Sequence, residues 1–267
     1  MPMLSLSKTT LYRAGQYFTA GIATMLLLAC AGGPKQDIAP TGSLQVGLYQ
    51  GSPTSYLADG TLADNRGIGF ALGKQLSANM DVTFKPIVFP KNADVLDAVK
   101  ASKVDLVFTN ATAARAKFIQ FSEPVIKLEK GFLLAPKSKI KSIQDLNNPN
   151  IKIGVSVGSS SEREVSELLS KAKLLKMNST KETVEQLISG KIDAFSSNKG
   201  ILFELSDQVP GSIVMPDVIG YESMALGVPI DRPNVKPFLD DFIQSLKSNG
   251  QLNSIISRSG LRGVSTK

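Results

Sequence analysis

The sequence has 267 residues, 42% of them hydrophobic and 20% charged. That is long enough to bury the core of one large or two ordinary domains, and its composition excludes disordered, collagen-like and multi-span membrane classes. It has no histidine and a single cysteine, Cys30, which excludes an intramolecular disulfide, Ser-His-Asp and Cys-His nucleophile systems and most zinc sites; no cofactor and no metal are expected. The formal charge of +7 becomes +5 once Lys8 and Arg13 of the acid-free first 29 residues are set aside, leaving 28 basic and 23 acidic residues. The basic residues are scattered, aromatics make up only 6% and tryptophan is absent, so no nucleic-acid surface is expected.

Residues 1–29 have the layout of a secretory signal: a basic start, an apolar run over Tyr17 to Leu28, and a small residue before Cys30. The run is well short of the roughly 20 residues that a membrane-spanning helix needs. Leu27-Leu28-Ala29-Cys30 resembles the lipobox of bacterial lipoproteins, which implies cleavage before Cys30 and lipidation of its thiol. Residues 30–41 are rich in glycine, proline and polar residues and read as the lipidated cysteine followed by a flexible leash.

From Gly42 the pattern alternates strands with helices. Leu44 to Tyr49 predicts a strand, Gly69 to Ser77 a helix, Val82 to Phe89 a strand, Asp94 to Lys103 a helix and Val104 to Thr109 a strand. Strands are predicted again at Gly131 to Ala135 and Ile151 to Val155. Two capping boxes, Ser161-x-x-Glu164 and Ser179-x-x-Glu182, each open a predicted helix; Gly190 closes the second, and a strand follows at Ile192 to Ser196. A short strand at Ser223 to Val228 and helices over Pro233 to Asn249 and Leu252 to Ser259 complete the pattern. No fixed-period repeat is present.

Several segments in order are similar to the family 3 bacterial extracellular solute-binding proteins, the polar amino-acid type that serves ABC importers. They are Gly42-x-Leu-x-Val-Gly47, Asp105-Leu-Val with Thr112-Ala-Ala-Arg115, Phe121-Ser-Glu-Pro124, Ser142-Ile-Gln-Asp-Leu146, Ile153-Gly-Val-x-x-Gly-Ser-Ser160 and Gly190-Lys-Ile-Asp-Ala194. The resemblance implies a type II periplasmic-binding-protein fold: two α/β lobes joined by two crossing strands near Lys127 to Gly131 and Asp217 to Tyr221, with a ligand cleft between them and hinge closure. On that template lobe one covers 42–128 plus 219–267 and lobe two 129–218.

In open α/β sheets ligands sit off the carboxyl ends of strands, which directs attention to the loops after Tyr49, Thr109, Val155 and Ser196. The Arg115 guanidinium can grip a carboxylate through parallel hydrogen bonds and matches the family's carboxylate-binding arginine, although two residues are missing between Asp105 and Thr112 relative to the family pattern. Gly158, Ser159 and Ser160 precede a predicted helix, where backbone N–H groups and hydroxyls can bind an anionic oxygen opposite Arg115. Where amino-acid binders of the family carry an aspartate for the ligand's ammonium, this chain has Asn198, followed by Lys199. An amide there removes the charge complement for an ammonium, which favours an anionic solute over an ordinary zwitterion. Tyr49 is a candidate cover for an apolar ligand part; Gln50, Ser52, Thr109, Asn110 and Thr112 are further cleft candidates, and Glu222 is placed to contact ligand or to stabilise the hinge.

The function expected is that of a non-enzymatic, lipid-anchored solute-binding component of an ABC importer, monomeric, in the periplasm or cell envelope, handing a small polar, anionic or amino-acid-like solute to an inner-membrane permease. Rival readings are a carrier of apolar lipid-like cargo, a sensor partner of a membrane receptor, and an enzyme resembling cyclohexadienyl dehydratases with Glu222 or Asp217 as its acid.

Overall fold

In the computed structural model the described residues are 33–57, 66–232 and 234–264. The signal segment 1–29 and Cys30 lie outside them. The first elements are α1 (Pro34–Ile38), β1 (Ser43–Tyr49), α2 (Ile68–Asn79), β2 (Thr83–Phe89), α3 (Asn92–Lys100), β3 (Leu106–Asn110), a 3-10 turn (Arg115–Lys117), β4 (Ile119–Phe121) and β5 (Ile126–Leu134). They are followed by α4 (Ile143–Leu146), β6 (Lys152–Ser156), α5 (Ser160–Leu168), β7 (Lys173–Met177), α6 (Thr180–Ile188), β8 (Ala194–Asn198) and α7 (Lys199–Gln208). The last are β9 (Ile213–Val214), β10 (Gly220–Pro229), α8 (Val235–Ser248) and α9 (Gln251–Ser259). None of the described helices is long and apolar enough to cross a membrane.

The strands hydrogen-bond in the order β2-β1-β3-β10-β5-β8-β6-β7. β1, β2 and β3 are parallel, as are β6, β7 and β8. β5 and β10 cross between these two blocks and are antiparallel to their neighbours. β10 pairs with β3 through Met224–Gly227 and with β5 through Gly220–Met224, while β5 passes its ladder from β10 to β8 at Lys130, which is in register with both Gly220 and Asn198.

Each block has its own core, divided by the sheet because side chains alternate faces along a strand. In lobe one, Leu44, Val46, Leu48, Leu106 and Phe108 join one cluster with residues of α2, α8 and α9, while Val107 on the opposite face joins Val95 and Val99 of α3. In lobe two, Leu133 and Phe195 meet Leu202 and Leu205 of α7, while Phe132, Leu134, Ile153 and Val155 meet Val165 of α5. Gly47 belongs on the α3 side of β1: an added Cβ would lie 3.0 Å from Val104 and 3.2 Å from Val95, so β1 and α3 pack where only hydrogen fits.

The chain departs from the expected elements in several places. The segment read as a leash carries α1, with Ile38 in the lobe-one core, and Arg232 Nη1 donates to the Asp37 carbonyl at 2.7 Å. The first capping box is shifted: Gly158 turns the chain at φ +71°, Ser159 becomes the N-cap by accepting from Glu162 N–H at 3.2 Å, and Glu164 is released to pair with Lys130. Ser179 does cap α6 through Glu182 N–H at 3.1 Å, but the Glu182 carboxylate accepts from Asn178 N–H at 2.7 Å, one residue before the cap. β5 begins five residues before the expected strand start at Gly131, because its first half serves the crossing ladder. Beyond α9 the chain returns across the crossing strands: Glu129 N–H donates to Gly263 at 3.1 Å, Val264 bridges Leu128, and Arg262 binds Asp207 on α7 and lies 4.9 Å over the Phe203 ring.

Candidate functional site

The site forms where the carboxyl ends of β1, β3, β6 and β8 meet the crossing strands. Arg115 reaches it from the 3-10 turn, whose start is fixed by Arg115 N–H donating to Thr112 Oγ1 at 3.3 Å. Arg115 is buried, and its Nη1 donates to Thr109 Oγ1 at 2.8 Å and to the Asn110 carbonyl at 3.1 Å. Its Nη2 crosses to lobe two and donates to the Gly158 carbonyl at 3.2 Å. Burial lowers the guanidinium pKa, with Glu222 and Tyr49 opposing that shift; an arginine starts high enough to remain a cation at neutral pH.

Asn110, Ser160, Glu222 and Asn198 form one connected network. Asn110 Nδ2 donates to Ser160 Oγ at 3.2 Å, and Ser160 Oγ donates to Glu222 Oε1 at 3.1 Å. Asn198 donates through Nδ2 to Glu222 Oε2 at 2.9 Å, while its Oδ1 caps α7 by accepting from Ile201 N–H at 3.1 Å. Lys130, whose side chain is fully buried, donates to Ser160 Oγ at 3.2 Å and pairs with Glu164.

Tyr49, half-buried at the end of β1, donates from its hydroxyl to Ser52 Oγ at 3.2 Å, and Ser52 contacts Thr54 Oγ1 at 2.8 Å. Burial raises the phenol pKa against the lowering hydrogen bonds of Ser52 and Thr54; the Glu222 charge raises it further and Arg115 lowers it. Tyr49, Arg115 and Glu222 therefore act on one another electrostatically. Gln50 is exposed and, with Tyr49, Asn178 and Thr180, lines a small cavity of about 30 Å³.

The structure brings the candidates Arg115, Thr109, Asn110, Thr112, Ser160 and Asn198 into one neighbourhood. Gly158 is there in a different role: it presents its carbonyl to Arg115, and its N–H donates to Glu162 Oε2 at 3.2 Å, so the side chain of α5 itself occupies that anion-binding donor. Ser159 is engaged as the helix cap. Lys199 turns to the crossing strand, pairing with Glu129 at 2.9 Å and donating to the Pro216 carbonyl at 3.0 Å. Lys130 went unnoticed in the sequence; its only signal is a cation directly before the apolar run Phe132-Leu-Leu. Among the described residues no group of three or more Cys, Asp or Glu side chains gathers to hold a metal ion.

Two α/β lobes joined by two antiparallel crossing strands, with polar side chains from both lobes converging beside those strands, define a hinged type II binding protein. The profile of the bacterial extracellular solute-binding proteins, family 3, matches residues 44–260, and the chain belongs to that family. Among curated relatives, it is 24% identical to the ABC transporter glutamine-binding protein GlnH of Bacillus subtilis (strain 168) over 189 residues, 70% of this chain and 66% of that one, just under two thirds of that relative's length. It is 22% identical to a probable histidine-binding protein of Neisseria gonorrhoeae over 263 residues, 91% of this chain and 94% of that one. Among solved structures, an amino acid ABC transporter substrate-binding protein from Streptococcus pneumoniae bound to L-arginine superposes with a TM-score of 0.76 at 22% identity, covering 86% of this chain and 99% of that chain.

Proposed function

We propose that this protein is the solute-binding component of an ABC importer, held at the cell envelope through a lipidated Cys30, which captures a small carboxylate-bearing, amino-acid-like solute between its lobes and delivers it to an inner-membrane permease without converting it. The observation that carries this reading is the Arg115 guanidinium, buried where the lobes meet and, among the described residues, bound to neutral oxygens drawn from both of them. Such a group is costly to bury and is suited to exchange a carbonyl contact for a bidentate carboxylate. The kinship with amino-acid-binding proteins points to the same solute class. The polar lining of the cleft speaks against apolar cargo.

A thermal-shift screen of the full-length protein against amino acids, organic acids, phosphonates and lipids, repeated with Arg115→Ala, tests the proposal. Ligand that binds only the folded state raises the melting temperature. A carboxylate-bearing solute whose shift disappears in the variant is the expected result; a shift for lipids alone overturns it.

A further inference from the structure

After α9 the chain makes another passage from lobe one to lobe two. Gly260 ends α9 in the left-handed region at φ +67°, and Leu261 packs against the lobe-one core. The next residues lie on the start of α7. A Cβ added at Gly200, the second residue of α7, would stand 2.5 Å from Leu261 Cδ1 and 3.4 Å from the Arg262 carbonyl oxygen. Gly263 turns the chain again at φ +75°, where an added Cβ would collide with the Lys199 side chain. Its carbonyl accepts from Glu129 N–H at 3.1 Å, and Val264 bridges Leu128 of β5. Glycine is a poor helix former and loses more entropy on folding than other residues, so Gly200 and Gly263 are explained by the closeness of this passage. One side chain fastens it: Arg262 donates to both carboxylate oxygens of Asp207, at 3.3 and 2.5 Å, has Glu204 at 3.8 Å and lies 4.9 Å over Phe203, all on α7. A two-point arginine–carboxylate pair fixes direction as well as distance.

We infer that residues 260–264 are a strap, a non-covalent connection beside β5 and β10 that limits how far the lobes part and so sets solute affinity without touching the solute. The three steps from Gly260 to Gly263 can span at most about 11 Å, so the strap has little slack between α9 and its hold on α7 and β5. Its grip favours the arrangement in which Arg115 reaches Gly158 and Asn110 reaches Ser160 across the cleft. Apparent affinity falls with the fraction of molecules in the binding-competent arrangement, so loosening the strap weakens binding from outside the site. The restraint rests on the two-lobed fold; its effect on affinity rests also on the reading that the solute sits between the lobes.

The test compares the full-length wild type with Arg262→Ala, Asp207→Ala and the two combined. The paired side chains are 41% and 62% exposed, so the variants are expected to fold with urea midpoints close to the wild type. In solution scattering without solute, Arg262→Ala is expected to have a larger radius of gyration than the wild type. The double variant is expected to add nothing to Arg262→Ala, since both substitutions cut one fastening. In calorimetric titration with the common L-amino acids, the one that the wild type binds is expected to bind Arg262→Ala about twofold to fivefold more weakly, the scale of one exposed ion pair. An unchanged or smaller radius overturns the inference, as does a larger radius with unchanged or tighter binding. Failure of the wild type to bind any of these amino acids strikes the solute reading instead, and scattering alone then decides the restraint.

Discussion

Asn110 ties lobe two to the crossing strand: its Nδ2 donates to Ser160 Oγ at 3.2 Å, and its Oδ1 accepts from Ser223 N–H of β10 at 3.0 Å. One side chain thus carries both a bond that must break when the cleft opens and a bond within lobe one that need not. Substitution separates the two. Asn110→Asp keeps the acceptor for Ser223 and loses the donor to Ser160, so the ligand-free protein is expected to show a larger radius of gyration in solution scattering. Asn110→Ala also strands the half-buried Ser223 N–H and is expected to cost about 1 kcal/mol in urea denaturation. A scattering profile of the Asp variant identical to the wild type would refute the role given to this contact.

Asp105 locks the base of lobe one. It is 2% exposed, accepts from Gln45 N–H at 2.9 Å and pairs with Arg232 at 3.0 Å, and Arg232 in turn holds the α1 carbonyls of Asp37 and Ile38. Removing one partner leaves the other buried and unmatched, so Asp105→Ala is expected to lower the unfolding free energy by about 3 kcal/mol, read from the urea midpoint. The site lies far along β3 from Thr109, and solute affinity at low temperature is expected to stay near wild type.

The raised pKa of Tyr49, caused chiefly by its burial, predicts that this phenol ionises at a higher pH than an ordinary solvent-exposed phenol. In an alkaline titration followed by tyrosinate absorbance, Tyr49→Phe is expected to remove a late-rising portion of the curve. Loss of an early-rising portion instead would place Tyr49 in water.

Glu162 fixes the start of α5 and has a lowered pKa, first through Lys176 at 2.7 Å, with burial opposing and the Gly158 N–H assisting. A carboxylate whose folded pKa lies below its unfolded value stabilises the fold fully above the unfolded value, and this stabilisation fades as pH falls through the depressed folded value. The urea midpoint of the wild type is therefore expected to drop on acidification below the ordinary glutamate range. Glu162→Gln is expected to start lower at neutral pH and to drop less. Parallel pH curves for the two proteins would contradict this.

Local chemistry made most elements legible in the sequence. The alternation of β1 and β3 and the apolar stripe of α8 follow from periodicity alone, and Ser179 caps α6 as its spacing requires. α1 escaped because five residues are too few to show a period, and its anchor, Arg232, lies some two hundred residues away. α7 escaped because Ile201, Leu202 and Phe203 follow one another directly and blur the helical period, although Ile201, Leu202 and Leu205 share the buried face. At the site, the residues next to strand ends were found, since chain position fixes them. Lys130 and Glu222 acquire their meaning from Glu164, Ser160 and Asn198, contacts 24 to 62 residues distant along the chain, and no local pattern encodes such a meeting. The shift of the α5 cap from Ser161 to Ser159 was likewise decided by the left-handed turn at Gly158, which permits either serine in sequence and selects one in space.

The return of the chain past α9 gives the molecule an external gauge of its own motion. α1 rides on lobe one through Arg232, whereas Arg262 is fastened to α7 of lobe two. Probes attached beside these two anchor points would travel with different bodies, so their separation would track opening of the cleft without any label having to enter it.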